Sequence, residues 1–380
     1  MGKCKRVLRC YHCGSVLQTK DPKQKGYISE KEVGGDLTTN KILYCDRCFD
    51  VIRSFNNSAL DLQIDQDILR ILDDAIATDA LIIWVIDLFA FNGALNPEIA
   101  KKVKKLKVVV VGNKVDLLPV KGKEKGLKEY INERFQEFGI KPHAVRLLGN
   151  SNKIDMSKLL DEMNDARQGH DVYLIGNALS GKTTLINRML KFYENKTKRE
   201  IRTVTYGDTG IKVLEIPLSK SSFLYELPGF SQNTSVINKV EKDVKAFILP
   251  RKQLKVALRT LLAKEAFIIG SLASFALMEG KATMFKFYSA EGVETKKVKA
   301  ANVEAAFTEN NEKKNVRPVS NRYSTFLDYD VFDYQMEKDG KYHDIAIEGL
   351  GWVTFKATGQ TIRVIAPKGA EIKESLSRIR

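Results

Sequence analysis

The run from Asp171 to Leu190 constrains this chain more than any other. Asp171-Val-Tyr-Leu-Ile175 has the apolar, β-branched character of a buried strand, and Thr184-Leu-Ile-Asn-Arg-Met-Leu190 has that of a helix. Between them Gly176-Asn-Ala-Leu-Ser-Gly181-Lys182-Thr183 fits the spacing G-x-x-x-x-G-K-[ST] in the strand–loop–helix context that a phosphate-binding loop requires. Glycines at 176 and 181 let the backbone of Asn177, Ala178, Leu179 and Ser180 close around phosphate oxygens at a helix N-terminus. Lys182 is then placed to reach the outer phosphates and Thr183 to hold Mg²⁺, with Thr184, at the start of the helix, counted among the nucleotide-binding residues. Composition alone would produce these four fixed positions in roughly 1–2% of such chains.

A second motif selects the base. Lys107-Val-Val-Val-Val-Gly112 reads as a fully buried strand running into Asn113-Lys114-Val115-Asp116. A carboxylate at Asp116 accepts two hydrogen bonds from guanine N1–H and the 2-amino group, and adenine would leave it unpaired. Asn113 and Lys114 complete the set, with the lysine stem along the base. Ala80 to Asp87 reads as another buried parallel strand, and Asn96 to Lys105 as a helix opened by Pro97. In ordinary small GTPases the phosphate loop precedes N-K-x-D; here it follows by 63 positions. Both motifs sit at one edge of a sheet, so a circular permutation of strand order leaves the site intact.

Cysteine spacing points to a metal. Cys10-Tyr-His-Cys13 and Cys45-Asp-Arg-Cys48 are two C-x2-C knuckles with 31 residues between them. Together they complete a tetrahedral, closed zinc site that is structural, since four cysteines leave no open position. The alternative is a pair of redox motifs, but those normally come singly at a helix start. Cys4 is spare, and His12 is a poorer ligand by its spacing. Thiols in this pattern suit a reducing, cytoplasmic setting. No signal peptide is legible, and the longest uncharged apolar run, Ala266 to Met278, is too short for a membrane span and reads as a buried helix.

The charge is +15, from 62 Lys+Arg against 47 Asp+Glu, which favours a polyanionic partner. Residues 1–60 carry 11 basic and 6 acidic groups, 61–230 carry 26 and 23, and 231–380 carry 25 and 18. A nearly neutral centre thus lies between two basic ends. A lysine-rich solvated surface would give the same totals.

The motifs, their permuted order and the flanking runs resemble the YqeH family of permuted, ribosome-assembly GTPases. The matching runs include Cys10-Tyr-His-Cys-Gly-Ser-Val-Leu-Gln18, Gly26-Tyr27, Asp87-Leu-Phe-Ala-Phe-Asn-Gly93 and Leu350-Gly-Trp-Val353. The resemblance implies an α/β fold: a circularly permuted P-loop GTPase domain on a mostly parallel sheet, flanked by an N-terminal zinc module and a C-terminal α+β domain. The expected boundaries are 1–58, 59–235 and 236–380. It further implies GTP/GDP, Mg²⁺ and Zn²⁺ as cofactors, and the small ribosomal subunit and its rRNA as partners. Neither a membrane nor a second copy of the chain is expected.

Residue by residue, the resemblance also marks departures. The γ-phosphate-sensing D-x-x-G reads Glu226-Leu-Pro-Gly229, with Phe230 after it where a water-orienting glutamine would stand. The family's P-G-T-T reads Gly207-Asp-Thr-Gly210, so Thr209 is left as the switch threonine and Mg²⁺ ligand. The loop asparagine linked to potassium in relatives is Leu179, and the guanine-backing S-A reads Gly149-Asn150. With catalysis resting on Lys182, Thr209, Glu226 and Gly229, slow hydrolysis completed by a partner is expected, with a non-hydrolysing RNA- or ribosome-binding scaffold as the alternative. A P-loop ATPase or kinase is disfavoured by Asn113, Lys114 and Asp116.

Beyond Gly229, Val240 to Ala266 reads as helical, and Lys281–Val298 and Asp344–Ile365 as β-rich. Lys313, Lys314, Arg317, Arg322 and Tyr323 make a basic-plus-aromatic stretch suited to RNA, or equally a solvated loop. Trp352 reads as core. The 226–230 loop runs straight into this region, which would couple nucleotide state to RNA binding.

Overall fold

The computed structural model describes residues 10, 15–29, 45–46, 62–119, 122–149, 153–192, 202–206, 211–230 and 233–378. Seven strands form the first sheet: β1 (Leu81–Asp87), β2 (Val108–Asn113), β3 (Ala144–Leu148), β4 (Val172–Ile175), β5 (Arg202–Thr205), β6 (Lys212–Pro217) and β7 (Phe223–Glu226). Their order is β3-β2-β1-β4-β7-β6-β5. The first five run parallel, and β6 and β5 add an antiparallel edge.

Parallel strands covered on both faces need apolar residues along their length, and β1 and β2 supply them up to the polar residues Asp87 and Asn113 at their carboxyl ends. Ile82, Trp84 and Ile86 face the helices Leu62–Ala77, Pro97–Val103 and Glu124–Glu137, while Leu81, Ile83 and Val85 face Lys153–Arg167 and Lys182–Phe192. The helix at Pro97 starts as its sequence dictates: the Asn96 side chain accepts from the N–H groups of Glu98 and Ile99.

The C-terminal part is mostly β-structure, in two five-stranded sheets. One has β12 (Thr295–Lys299), β9 (Glu265–Ile269), β10 (Ala273–Glu279), β16 (Thr361–Pro367) and β13 (Tyr329–Gln335), in that order. The other has β17 (Ile372–Leu376), β14 (Tyr342–Ile347), β15 (Gly351–Lys356), β11 (Thr283–Ser289) and β8 (Lys255–Leu261). They enclose one core, in which Phe267, Phe275, Phe285, Phe287 and Phe355 are buried. The helix Val303–Lys313 packs beside β9 and β12.

Two expectations are corrected here. Ala266 to Met278 is not a helix but the β9–β10 hairpin, folded at Gly270, whose φ is +54° and where a Cβ would lie 1.9 Å from Pro318 O, so no side chain is admitted. Both faces of the hairpin are buried, so its composition carries no alternation to betray it. The helical reading of Val240–Ala266 holds only for Lys242–Ile248; Pro250 follows its end, and β8 and β9 take over. Among the described residues no helix is long and apolar enough to cross a membrane.

Candidate nucleotide and metal site

The loop at 176–181 leaves β4 at the carboxyl edge of the parallel sheet and enters the helix Lys182–Phe192. Gly176 has φ +150°, and a Cβ there would lie 2.2 Å from Val85 O. Gly181 has φ +94°, and its Cβ would lie 2.2 Å from Asn113 Nδ2. Glycine is therefore required at both ends of the loop, by conformation and by contact with the strands beside it.

The two sequence motifs meet here. Asn113 Nδ2 donates to Ser180 O at 2.9 Å, and Lys114 Nζ donates to Leu179 O at 2.9 Å. Lys114 and Leu179 both adopt left-handed backbones, with φ +65°. Asp116 is exposed beside Gly149, where a Cβ would approach its Oδ1 to 3.0 Å. Asn150, Thr209 and the rest of 207–210 lie outside the described residues.

The loop from β7 closes the other side. Ala178 N donates to Phe230 O at 3.2 Å, and a Cβ on Gly229 would lie 2.5 Å from Ala178 N, so only glycine allows this approach. Phe230 is buried edge-on to Trp84, with ring centroids 6.0 Å apart. Its side chain belongs to the core.

Lys182 is buried, with Nζ donating to Gly176 O at 2.8 Å and Asn177 O at 3.1 Å. Burial lowers its pKa to about 8, against the pull of the Glu226 carboxylate. Burial likewise raises the Glu226 carboxyl, which the Thr183 hydrogen bond and Lys182 oppose. Thr183 Oγ1 donates to Glu226 Oε1 at 2.7 Å. The longer Glu side chain thus reaches the threonine directly.

The donor set fits a nucleotide with its cation. Adjacent ligands of octahedral Mg²⁺, at 2.0–2.1 Å each, lie about 2.9 Å apart, close to the Thr183–Glu226 separation. Asn177 Oδ1 and Ser180 Oγ are buried within the loop without a hydrogen-bond partner. A buried ammonium held only by backbone carbonyls is a group that phosphate oxygens would satisfy better. Thr184 is exposed at the start of the helix.

The structure adds a residue that motif spacing does not name. Asp87 ends β1, is buried, and takes Lys114 Nζ on Oδ2 at 2.5 Å while Oδ1 accepts from Phe89 N at 3.0 Å. It fixes the lysine of N-K-x-D from below. A carboxylate ending a buried strand at this sheet edge was its only sequence signal.

Half of the proposed zinc set is visible. Cys10 and Cys45, 35 positions apart, are buried side by side, with Cys45 N donating to Cys10 Sγ at 3.2 Å. Such N–H donation suits a metal-bound thiolate, so the pair fits the metal. Cys13 and Cys48 lie outside the described residues, and among the described residues no three metal-binding side chains cluster.

No family model matches the chain. It is 29% identical over 363 residues to YqeH of Bacillus subtilis (strain 168), covering 96% of this chain and 97% of that one. It is 22% identical over 405 residues to NO-associated protein 1, chloroplastic/mitochondrial, of Arabidopsis thaliana, covering 93% and 70%. A shorter similarity, 25% over 169 residues, links 42% of the chain to 24% of Genetic interactor of prohibitins 3, mitochondrial, of Scheffersomyces stipitis. The similarity to YqeH thus runs nearly end to end in both chains, on a mixed α/β frame, as the resemblance of the motifs led one to expect.

Proposed function

We propose that this protein is a circularly permuted P-loop GTPase that binds GTP and GDP, hydrolyses GTP slowly and assists assembly of the small ribosomal subunit. The observation that carries the reading is the convergence of Asn113 and Lys114 on the carbonyls of Ser180 and Leu179. That contact joins a base-reading turn to a phosphate-cradling loop.

In this reading Asp116 takes the guanine edge, and Lys114, held by Asp87, lies along the base. Lys182 leaves its backbone carbonyls for the outer phosphates. Thr183 and Glu226, with Thr209, would hold Mg²⁺, which neutralises phosphate charge. Cys10, Cys13, Cys45 and Cys48 would hold structural Zn²⁺.

Coupling to RNA has a physical route. Downstream of Phe230, Glu371 N donates to Thr234 O and Val236 N to Glu348 O, each at 2.9 Å. Leu254 N donates to Leu117 O at 2.8 Å, which ties the turn carrying Asp116 to the start of β8. The segment downstream of Phe230 and the turn carrying Asp116 are therefore each hydrogen-bonded to the C-terminal part that the proposal assigns to RNA. Tyr323 is no stacking platform: it is buried and donates to Lys239 O at 3.0 Å. RNA contact in that stretch falls to Lys314, Arg317 and Arg322.

One observation favours a second reading, a non-hydrolysing scaffold. Phe230 is turned into the core, so this position offers nothing to orient a water. GTP hydrolysis with Mg²⁺, with and without small ribosomal subunits, separates the two. Stimulation by subunits supports the GTPase; tight guanine-nucleotide binding without turnover supports the scaffold.

A further inference from the structure

The parallel-sheet part and the C-terminal sheets meet across a cavity of ≈ 80 Å³. Phe89, Phe91 and Tyr130 line one side; Asp344, Trp352 and Arg378 line the other. At ~10–15 Å³ per water-sized occupant, it has room for about five to eight non-hydrogen atoms.

Three features give this space a chemical preference. First, Asp344 presents a carboxylate to it. Thr354 and Ser377 hydrogen-bond to the carboxylate and His343 acts on it electrostatically, yet among the described residues no lysine, arginine or histidine forms an ion pair with it. The neighbouring His343 is engaged by Glu374 and Asp339 instead. Burial pushes the Asp344 carboxyl up to about 7, outweighing the Thr354 and Ser377 hydrogen bonds and the His343 charge.

Second, the walls are aromatic. Phe91 and Tyr130 stand edge to face, 5.6 Å apart, and Tyr288 stacks on Trp352 at 4.9 Å, which fixes the indole. Fixed rings of this kind attract a cation. Third, Arg378 does not cancel the carboxylate. Its Nη2 donates to both oxygens of Glu133, at 2.9 and 2.7 Å, while Nε is buried without an acceptor.

We propose that this interdomain cavity binds a small organic ammonium ion, with its nitrogen on Asp344, its stem against the aromatic walls and an oxygen accepting from Arg378 Nε. None of the lining residues is one assigned to the nucleotide, and the proposal does not depend on the GTPase reading.

The 380-residue chain has two tryptophans, of which Trp84 is buried in the parallel sheet and Trp352 lines the cavity. The indole N–H signal of Trp352 therefore reports occupancy by NMR. Titration with 4-aminobutan-1-ol is expected to shift it saturably, and 1,4-butanediol, the same size without the charge, to bind at least ten-fold more weakly. Asp344→Asn keeps the volume and the oxygen that accepts from Thr354, and should reduce that preference to under two-fold. Ala346→Leu, which fills the cavity from β14, should abolish both shifts. No saturable shift in the wild type, an equal response to the two probes, or an undiminished preference in Asp344→Asn overturns the proposal.

Discussion

The side-chain amide of Asn113 donates to the carbonyl oxygen of Ser180 at 2.9 Å, across 67 positions of sequence. This bond crosses from β2 to the loop after β4, with β1 between those strands. It holds the first residue of one motif against the last turn of the other. Because Gly181 leaves no room for a Cβ beside Asn113, the contact fixes both the loop and the strand end.

Lys182→Ala is expected to weaken GDP and GTP binding by at least 100-fold, since charge-assisted hydrogen bonds to phosphate contribute about 1.5–3 kcal/mol apiece. Removing a buried ammonium whose pKa burial has lowered costs the fold little. Binding of a fluorescent GDP analogue, with melting temperature as the control, checks this. An unchanged affinity would remove Lys182 from the site.

Asp116→Asn is expected to reverse base preference, from guanine toward xanthine, because the amide offers a donor where the carboxylate only accepted. Asp116 is exposed, so the melting temperature should stay within about 1 °C, as for surface substitutions worth under ~0.5 kcal/mol. Competition between GDP and XDP measures the switch. Retained guanine preference would sink the base-reading assignment.

Asp344 should make stability pH-dependent. Its pKa rises from 3.8 in the unfolded chain to about 7 in the fold, through burial. The folded state therefore gains relative stability below pH 4 and loses it as the pH climbs through 7. The full span is on the order of 4 kcal/mol, from about three pKa units at 1.36 kcal/mol each. Thr354, Ser377 and His343 oppose the shift, and Glu374 adds to it. His343, also raised, loses its contribution in the same direction as pH rises, so only a difference isolates Asp344. Asp344→Asn should melt higher than wild type at pH 8, by a margin that shrinks toward pH 5. A constant margin would show that Asp344 does not titrate in this range.

Zinc removal should act on the N-terminal module and spare the rest. One Zn²⁺ per chain is expected by elemental analysis, falling to near zero in a Cys10→Ser, Cys45→Ser double variant. GDP affinity should change by less than three-fold, because neither cysteine touches the nucleotide cleft. A zinc content unaffected by the double variant would exclude these ligands.

Much of the site is legible before any fold is known. Gly176, Gly181 and Lys182 are recognisable because a phosphate loop needs those residue types at fixed local spacing, and the strand and helix around them follow from periodicity. Asp87 is different. Its role depends on Lys114 arriving from the next strand, a pairing that sequence separation does not reveal. The hairpin over 266–278 was hidden for a related reason: burial on both faces erases the alternation that distinguishes a strand from a buried helix. Tyr323 reads as a base-stacking residue among basic neighbours, yet its hydroxyl is spent on Lys239 O.

The sequence by itself determined the local patterns: the glycine spacing of the loop proposed to cradle phosphate, the turn proposed to read guanine, and which strands must be covered on both faces. These are properties of residues a few positions apart, governed by backbone conformation and hydrophobic period. Only the tertiary structure decided which distant groups face one another. It brought Asn113 to Ser180, Lys114 to Asp87, and Asp344 with Trp352 against Phe91 and Tyr130. Burial and pairing then set the charge state of Lys182, Glu226 and Asp344, because the cost of a buried charge depends on the partners that packing supplies.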